Sequence, residues 1–94
     1  MAVYVDDARI PARGRVWSHM VADAAEELHR AAEALGLQRW MAQDRGRTLH
    51  YDLPEPLRRR ALELGVARAI TRAELVARRR ALAAGSRPNG RLKV

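Results

Sequence analysis

Apolar positions fall into short blocks along the chain. Ala2-Val3-Tyr4-Val5 is a β-branched and aromatic run ended by Asp6-Asp7, the pattern of a buried strand with polar residues at its carboxyl end. Pro11 and Gly14 punctuate the stretch from Arg9 to Arg15 and predict a loop. Between Trp17 and Leu35, residues Trp17, Met20, Val21, Ala24, Leu28, Ala31, Ala32 and Leu35 keep helical spacing, which allows one long helix. Asp23 followed by Glu26 matches the acidic variant of a capping box. That box starts the helix at Ala24 and leaves Val16 to Ala22 as a second strand. Strand then helix is the favoured reading, with Gly36 as the residue just past the helix end.

Gln38 to Gln43 reads as a short helical turn carrying Trp40 and Met41, and Arg45-Gly46-Arg47 as a loop. Thr48 to Leu53 predicts a strand. Pro54 and Pro56 suit the first turn of a helix that runs to Leu64 and is ended by Gly65. Val66 to Ile70 is a short apolar run, read as a strand. Thr71 to Glu74 is a full capping box that opens a last helix, to about Ala84. The sum is a single α/β domain over 1–84, with three to four short strands and three packed helices, followed by a basic flexible tail, 85–94. No internal repeat is present.

Composition narrows the class. The chain has 94 residues, 18 Lys+Arg and 11 Asp+Glu, for a net charge of +7. That length accommodates one modest core. Cysteine is absent, which excludes disulfide frameworks and thiolate metal sites. No apolar run reaches spanning length, and the acidic start does not match a signal peptide, so the expectation is a cytoplasmic domain without a membrane partner. The charge is uneven: residues 1–47 hold seven basic and seven acidic residues, and 48–94 hold eleven and four. Arg58-Arg59-Arg60, Arg78-Arg79-Arg80 and the tail supply much of the excess. It suits an anionic partner, nucleic acid or nucleotide, contacted through the carboxy-terminal half. An Arg- and Ala-rich composition written by a GC-rich genome accounts for the same numbers without a partner.

Three segments concentrate groups that bind metals or move protons: Asp6-Asp7, His19 with Asp23, and His50 with Asp52. Asp6, Asp7, His50 and Asp52 are expected as ligands for a divalent ion (Mg²⁺, Mn²⁺ or Zn²⁺), near the carboxyl ends of strands. His19 and His50 are the candidate general bases, and Arg9 and Arg13 the candidate phosphate contacts. Asp23 is equally readable as a helix cap, Asp7 as a turn residue, and His50 and Asp52 as a pair satisfying each other. His29 reads as packing. Tyr4 and Trp17 read as core, whereas Trp40 and Tyr51 are open between core and base stacking. A phosphate-cradling Gly loop, a G-x-S-x-G elbow and a Cys nucleophile are all missing.

The opening Met1-Ala-Val-Tyr-Val-Asp-Asp-Ala-Arg-Ile-Pro-Ala-Arg-Gly, then Trp17-Ser-His-Met-Val-Ala-Asp, Glu27-Leu-His and His50-Tyr-Asp-Leu, resemble a small bacterial and phage family of unknown function, numbered four thousand and thirty-one, over about residues 1–76. The resemblance implies no activity. It singles out Asp6, Asp7, Arg9, His19, Asp23, His50 and Asp52. Ala24 stands where relatives often carry a Ser or Thr able to cap the helix, which implies that Asp23 takes that role here.

Three functions remain open at this level. The first is a metal-dependent phosphoesterase or nuclease-like hydrolase acting on nucleic acid or nucleotide. The second is a non-catalytic nucleic-acid or nucleotide binding module. The third is a protein-interaction domain whose polar cluster only fixes the fold. Oligomeric state is not readable.

Overall fold

The computed structural model describes residues 2–44, 48–78 and 80. Five strands form one mixed sheet: β1 (Val3–Val5), β2 (Ile10–Ala12), β3 (Arg15–Ala22), β4 (Tyr51–Pro54) and β5 (Arg68–Ala69). Helix α1 (Ala25–Ala34) follows β3, and α2 (Glu55–Leu64) follows β4. Residues 72–78 form a third helix, α3. A 3₁₀ turn spans Arg39–Met41. The fold is therefore α/β with three helices, as expected, and the expected tail, 85–94, lies outside the described residues, as does the loop 45–47.

β3 is the spine. Met20 pairs with both Val5 and Tyr51, and Trp17 with both Ile10 and Pro54, so β1 and β2 share one edge of β3 and β4 takes the other. Parallel β5 closes the outer side of β1. Register reveals how β1 and β2 relate. Val5 faces Met20 and Ile10 faces Trp17. Four residues, Asp6 to Arg9, thus stand opposite only Ser18 and His19. This two-residue surplus is a bulge, and Arg9 adopts φ +49° within it.

Two expectations change here. Arg9 to Arg15 is not wholly loop, because Ile10–Ala12 is a strand. Pro11 lacks an N–H to donate, and β2 is an edge strand where that loss is tolerated. Arg13 and Gly14, at φ +51° and +74°, make the tight two-residue turn into β3. The second change concerns α1. Strand then helix is correct, but the cap is Ala24, with extended backbone (φ −136°, ψ 146°) and no side-chain cap bond. Asp23 does not cap; its carboxylate pairs with Arg78 of α3.

Other punctuation behaves as read. Gly36 (φ +83°) and Gly65 (φ +73°) end α1 and α2 in left-handed backbone. The Thr71–Glu74 box forms in both directions, Glu74 N–H to Thr71 Oγ1 at 3.1 Å and Thr71 N–H to Glu74 Oε1 at 2.8 Å. The strand expected over 48–53 shortens and shifts to Tyr51–Pro54, Pro54 standing just before α2 as its cap rather than in its first turn, and that over 66–70 narrows to Arg68–Ala69.

The core lies on one face of the sheet. Val5, Met20, Tyr51 and Leu53 pack there with Leu28, Ala31 and Ala32 of α1 and Ala61 of α2. Strand side chains alternate, so Trp17, His19 and Asp52 project from the opposite face. At the far end of that second face the Arg78 guanidinium covers the Tyr4 ring at 4.2 Å, which brings α3 over β1. In the stretch around His19 and Asp52, Asp52 is the more exposed side chain, at 27% against 12% for His19.

Candidate functional site

His19 sits mid-way along β3, directly across from Asp52 on β4. His50 precedes β4 and is held extended by a two-way backbone bridge to Gln43, at 2.8 and 2.9 Å. Residues 50 and 52 share a strand face, so three donor side chains meet on the second face of the sheet. The site therefore lies at the amino end of β4 and the middle of β3, not outside the carboxyl ends of the strands as expected. The His19 and His50 rings meet edge to face with centroids 5.4 Å apart. His50 Nε2 is 3.5 Å from Asp52 Oδ1, and His19 Nε2 is 4.0 Å from the same oxygen.

Each imidazole is oriented through its other nitrogen. His19 Nδ1 donates to Asp6 Oδ2 at 2.7 Å. His50 Nδ1 donates to the Thr48 carbonyl at 2.9 Å, an acceptor with no proton to give. Both protons are committed at Nδ1, so in the neutral rings both Nε2 atoms carry lone pairs toward Asp52.

Asp6 is fully buried. Burial raises the pKa of its carboxyl, but hydrogen bonds from the His19 ring, the His19 N–H and the Ala8 N–H outweigh it and hold Asp6 below the ordinary carboxylate value. Oδ1 accepts from the His19 and Ala8 N–H groups at 2.8 and 3.2 Å. The bulge explains this. Opposite it the ladder is interrupted, and the Asp6 carboxylate substitutes for the missing backbone acceptor of His19. The Asp6 backbone is satisfied as well, its N–H donating to His19 O at 3.0 Å and its carbonyl accepting Arg58 Nε at 2.8 Å.

The other expected site residues disperse. Asp7 Oδ1 accepts the Arg72 N–H at 2.9 Å and so helps to open α3. Of the four expected metal ligands, Asp6 and Asp7 thus spend oxygens within the fold, while His50 and Asp52 are together and are joined by His19. Arg9 lies 3.7 Å from Glu55. Arg13 stacks on Trp17 at 4.7 Å and borders a groove beside Asp52. Asp23 is bound to Arg78, whose guanidinium holds the Asp23 carboxyl below its ordinary value. His29 shares a 2.7 Å hydrogen bond with the buried Tyr51 hydroxyl, on the core side, as its packing role implied. Burial pushes the Tyr51 phenol up.

Two contributors were not read from the sequence. Gln43 Nε2 donates to Asp52 Oδ2 at 2.7 Å and turns Oδ1 toward the histidines. The Thr48 carbonyl is a backbone group and leaves no side-chain signature. Among the described residues, no group of three or more His, Asp, Glu or Cys side chains is drawn in to ion-holding distance. Ligands about 2.1 Å from a tetrahedral ion stand roughly 3.4 Å apart. His50 Nε2 and Asp52 Oδ1, 3.5 Å apart, have about that spacing, whereas His19 Nε2, 4.0 Å from the same oxygen, lies outside it. No helix among the described residues is long and apolar enough to cross a membrane.

No curated protein and no solved structure matches the chain. A family model described as Protein of unknown function (DUF4031) matches residues 3–82, a span that includes every residue of the cluster. The chain belongs to that family of proteins of unknown function, the one its opening and its His19 and His50 segments resemble.

Proposed function

We propose that this chain is a metal-dependent hydrolase of phosphate esters, with His19, His50 and Asp52 as the ion's ligands. One observation carries the reading. Two imidazole lone pairs and a carboxylate oxygen face one another, and such an arrangement repels itself unless a cation or a proton lies between. Two imidazoles and one carboxylate suit Zn²⁺ or Mn²⁺ better than Mg²⁺, which favours oxygen ligands. Asp6 is the outer carboxylate that fixes the His19 tautomer and raises its basicity. With His19, His50 and Asp52 holding it, such an ion would supply Lewis-acid and water-activating chemistry. Arg13, which lines the same groove as Asp52, is the phosphate contact.

Calorimetric titration of the full chain with Zn²⁺ and with Mn²⁺ tests this. One ion should bind per chain, and His19→Ala and His50→Ala should each weaken it at least about tenfold. His29→Gln, outside the cluster, should leave it unchanged. Hydrolysis of an aryl phosphodiester should appear with the ion and stop with chelator. Equal affinity in the two alanine variants and the parent chain would remove the reading.

The metal-free alternative is a proton shared in the cluster, with His19 Nε2 as a general base oriented by Asp6. It predicts diester hydrolysis that survives chelation. A binding module on the basic half is a weaker reading. Arg58 and Arg78, one from each run, are engaged internally by Asp6 and Asp23.

A further inference from the structure

Asp52 belongs to two features at once. On one side it faces the histidines. On the other it borders a groove of about 550 Å³, together with Arg13, Trp17, Trp40, Met41 and Gln43. That volume is in the range of small-molecule sites. The groove's walls have an unusual composition for so small a chain. The sequence contains two tryptophans, and both line it. Trp40 is 76% exposed, the most exposed large hydrophobic side chain among the described residues. Together with Trp17 it gives a concave site aromatic walls with a few polar groups beside them, the composition of a ligand pocket.

One wall is held in place. The Trp17 indole N–H donates to the Ala12 carbonyl at 2.9 Å, which fixes the ring against the β2–β3 turn. Trp40 sits on the 3₁₀ turn, whose Arg39 is tied to Glu26 at 2.8 Å and to Glu33 at 3.5 Å. A ring held as Trp17 is loses little freedom on binding. Two further groups set the chemistry. Arg13, over Trp17, supplies positive charge at the rim. Gln43 has given its amide N–H to Asp52, so its carbonyl oxygen remains as an acceptor for a ligand's amino or imino group.

We propose that this groove binds the base of a nucleoside monophosphate unit by stacking on Trp40, with its phosphate held by the Arg13 guanidinium. The unit is either a free nucleotide or the end of a single strand. It names a substrate class for the hydrolase above, and rests on that reading only for what happens to the phosphate. Base binding needs no ion.

Tryptophan fluorescence reads this directly, because both indoles line the groove. The full chain is titrated in chelator with adenosine 5′-monophosphate, adenosine, ribose 5-phosphate and a five-residue oligothymidylate. Saturable quenching by the nucleotide is expected, with ribose 5-phosphate at least about tenfold weaker, since stacking on one aromatic ring carries about that much affinity. Trp40→Ala should lose about tenfold for the nucleotide. Arg13→Ala should weaken the nucleotide and leave adenosine unchanged. Oligothymidylate binding tighter than the monophosphate identifies the strand, and equal or weaker binding identifies the free nucleotide. Ribose 5-phosphate binding as tightly as the nucleotide, an unaltered affinity in Trp40→Ala, or no saturable quenching would each overturn the proposal. Because no ion is present, a failure of metal binding leaves this outcome untouched, and the reverse also holds.

Discussion

The two histidine-bearing strands solve one problem in different ways. On β3, His19 is held by a buried carboxylate that also accepts the His19 and Ala8 N–H groups. On the β4 side, His50 is held by a single backbone carbonyl, that of Thr48. Both leave Nε2 free, but the physical content differs. A carbonyl fixes only the direction and the tautomer of a ring. An ionised carboxylate fixes both and adds charge, so it stabilises a positive ring or a ring bound to a cation. The β1–β3 side is also where the fold depends on the site, since Asp6 completes the sheet ladder. The β4 side carries its histidine with little cost to the rest of the molecule.

Asp6→Ala is the strongest way to break this contrast. It leaves the His19 and Ala8 N–H groups without their acceptor, and should destabilise the domain by about 3–5 kcal/mol in urea unfolding. A loss under about 1 kcal/mol would show that Asp6 is not part of the frame. Asp6→Asn sharpens the contrast, because an amide keeps the shape but presents N–H to Nδ1. The ring proton then moves to Nε2, and metal affinity measured by calorimetry should fall at least about tenfold while the fold persists. Thr48→Ala, by comparison, retains the carbonyl. Stability should stay within about 0.5 kcal/mol and metal affinity should not change. Equal effects for Asp6→Asn and Thr48→Ala would erase the distinction between the two sides.

The far end of the same sheet face supplies the smallest effect and a control. Asp23 is held by Arg78 below its ordinary value of 3.8. A depressed folded-state value means that the pair stabilises above about pH 3.8 and that this stabilisation is lost as pH falls through the folded value. Amide exchange in α3 should therefore accelerate in that acid window, and Asp23→Asn should remove the pH step without disturbing the histidines. An unchanged step in the variant would locate the titration elsewhere.

What the sequence disclosed follows from which signals are local. Gly36, Pro54 and Gly65, and the Thr71–Glu74 box, act within one turn of a helix, and each was readable. The mis-assigned cap shows the limit. Asp23 and Glu26 have capping-box spacing, yet a partner 55 residues away takes the Asp23 carboxylate. Strand β2 was hidden by Pro11, which signals a loop everywhere except at a sheet edge. The His and Asp residues of the cluster were all named from their types, but their roles depended on register. Once two surplus residues separate β1 from β2, Asp6 turns inward to His19 and becomes a support. Gln43 and the Thr48 carbonyl enter only through the Gln43–His50 bridge, which spacing along the chain does not announce.

The bulge between β1 and β2 also makes the molecule unequally tolerant of changes in chain length. Successive strand residues alternate between faces, so removing one residue from 6–9 while keeping the β2 pairing would turn Val3 and Val5 out of the core and Tyr4 into it. The four residues from Asp6 to Arg9 thus form a segment whose count is as constrained as its chemistry.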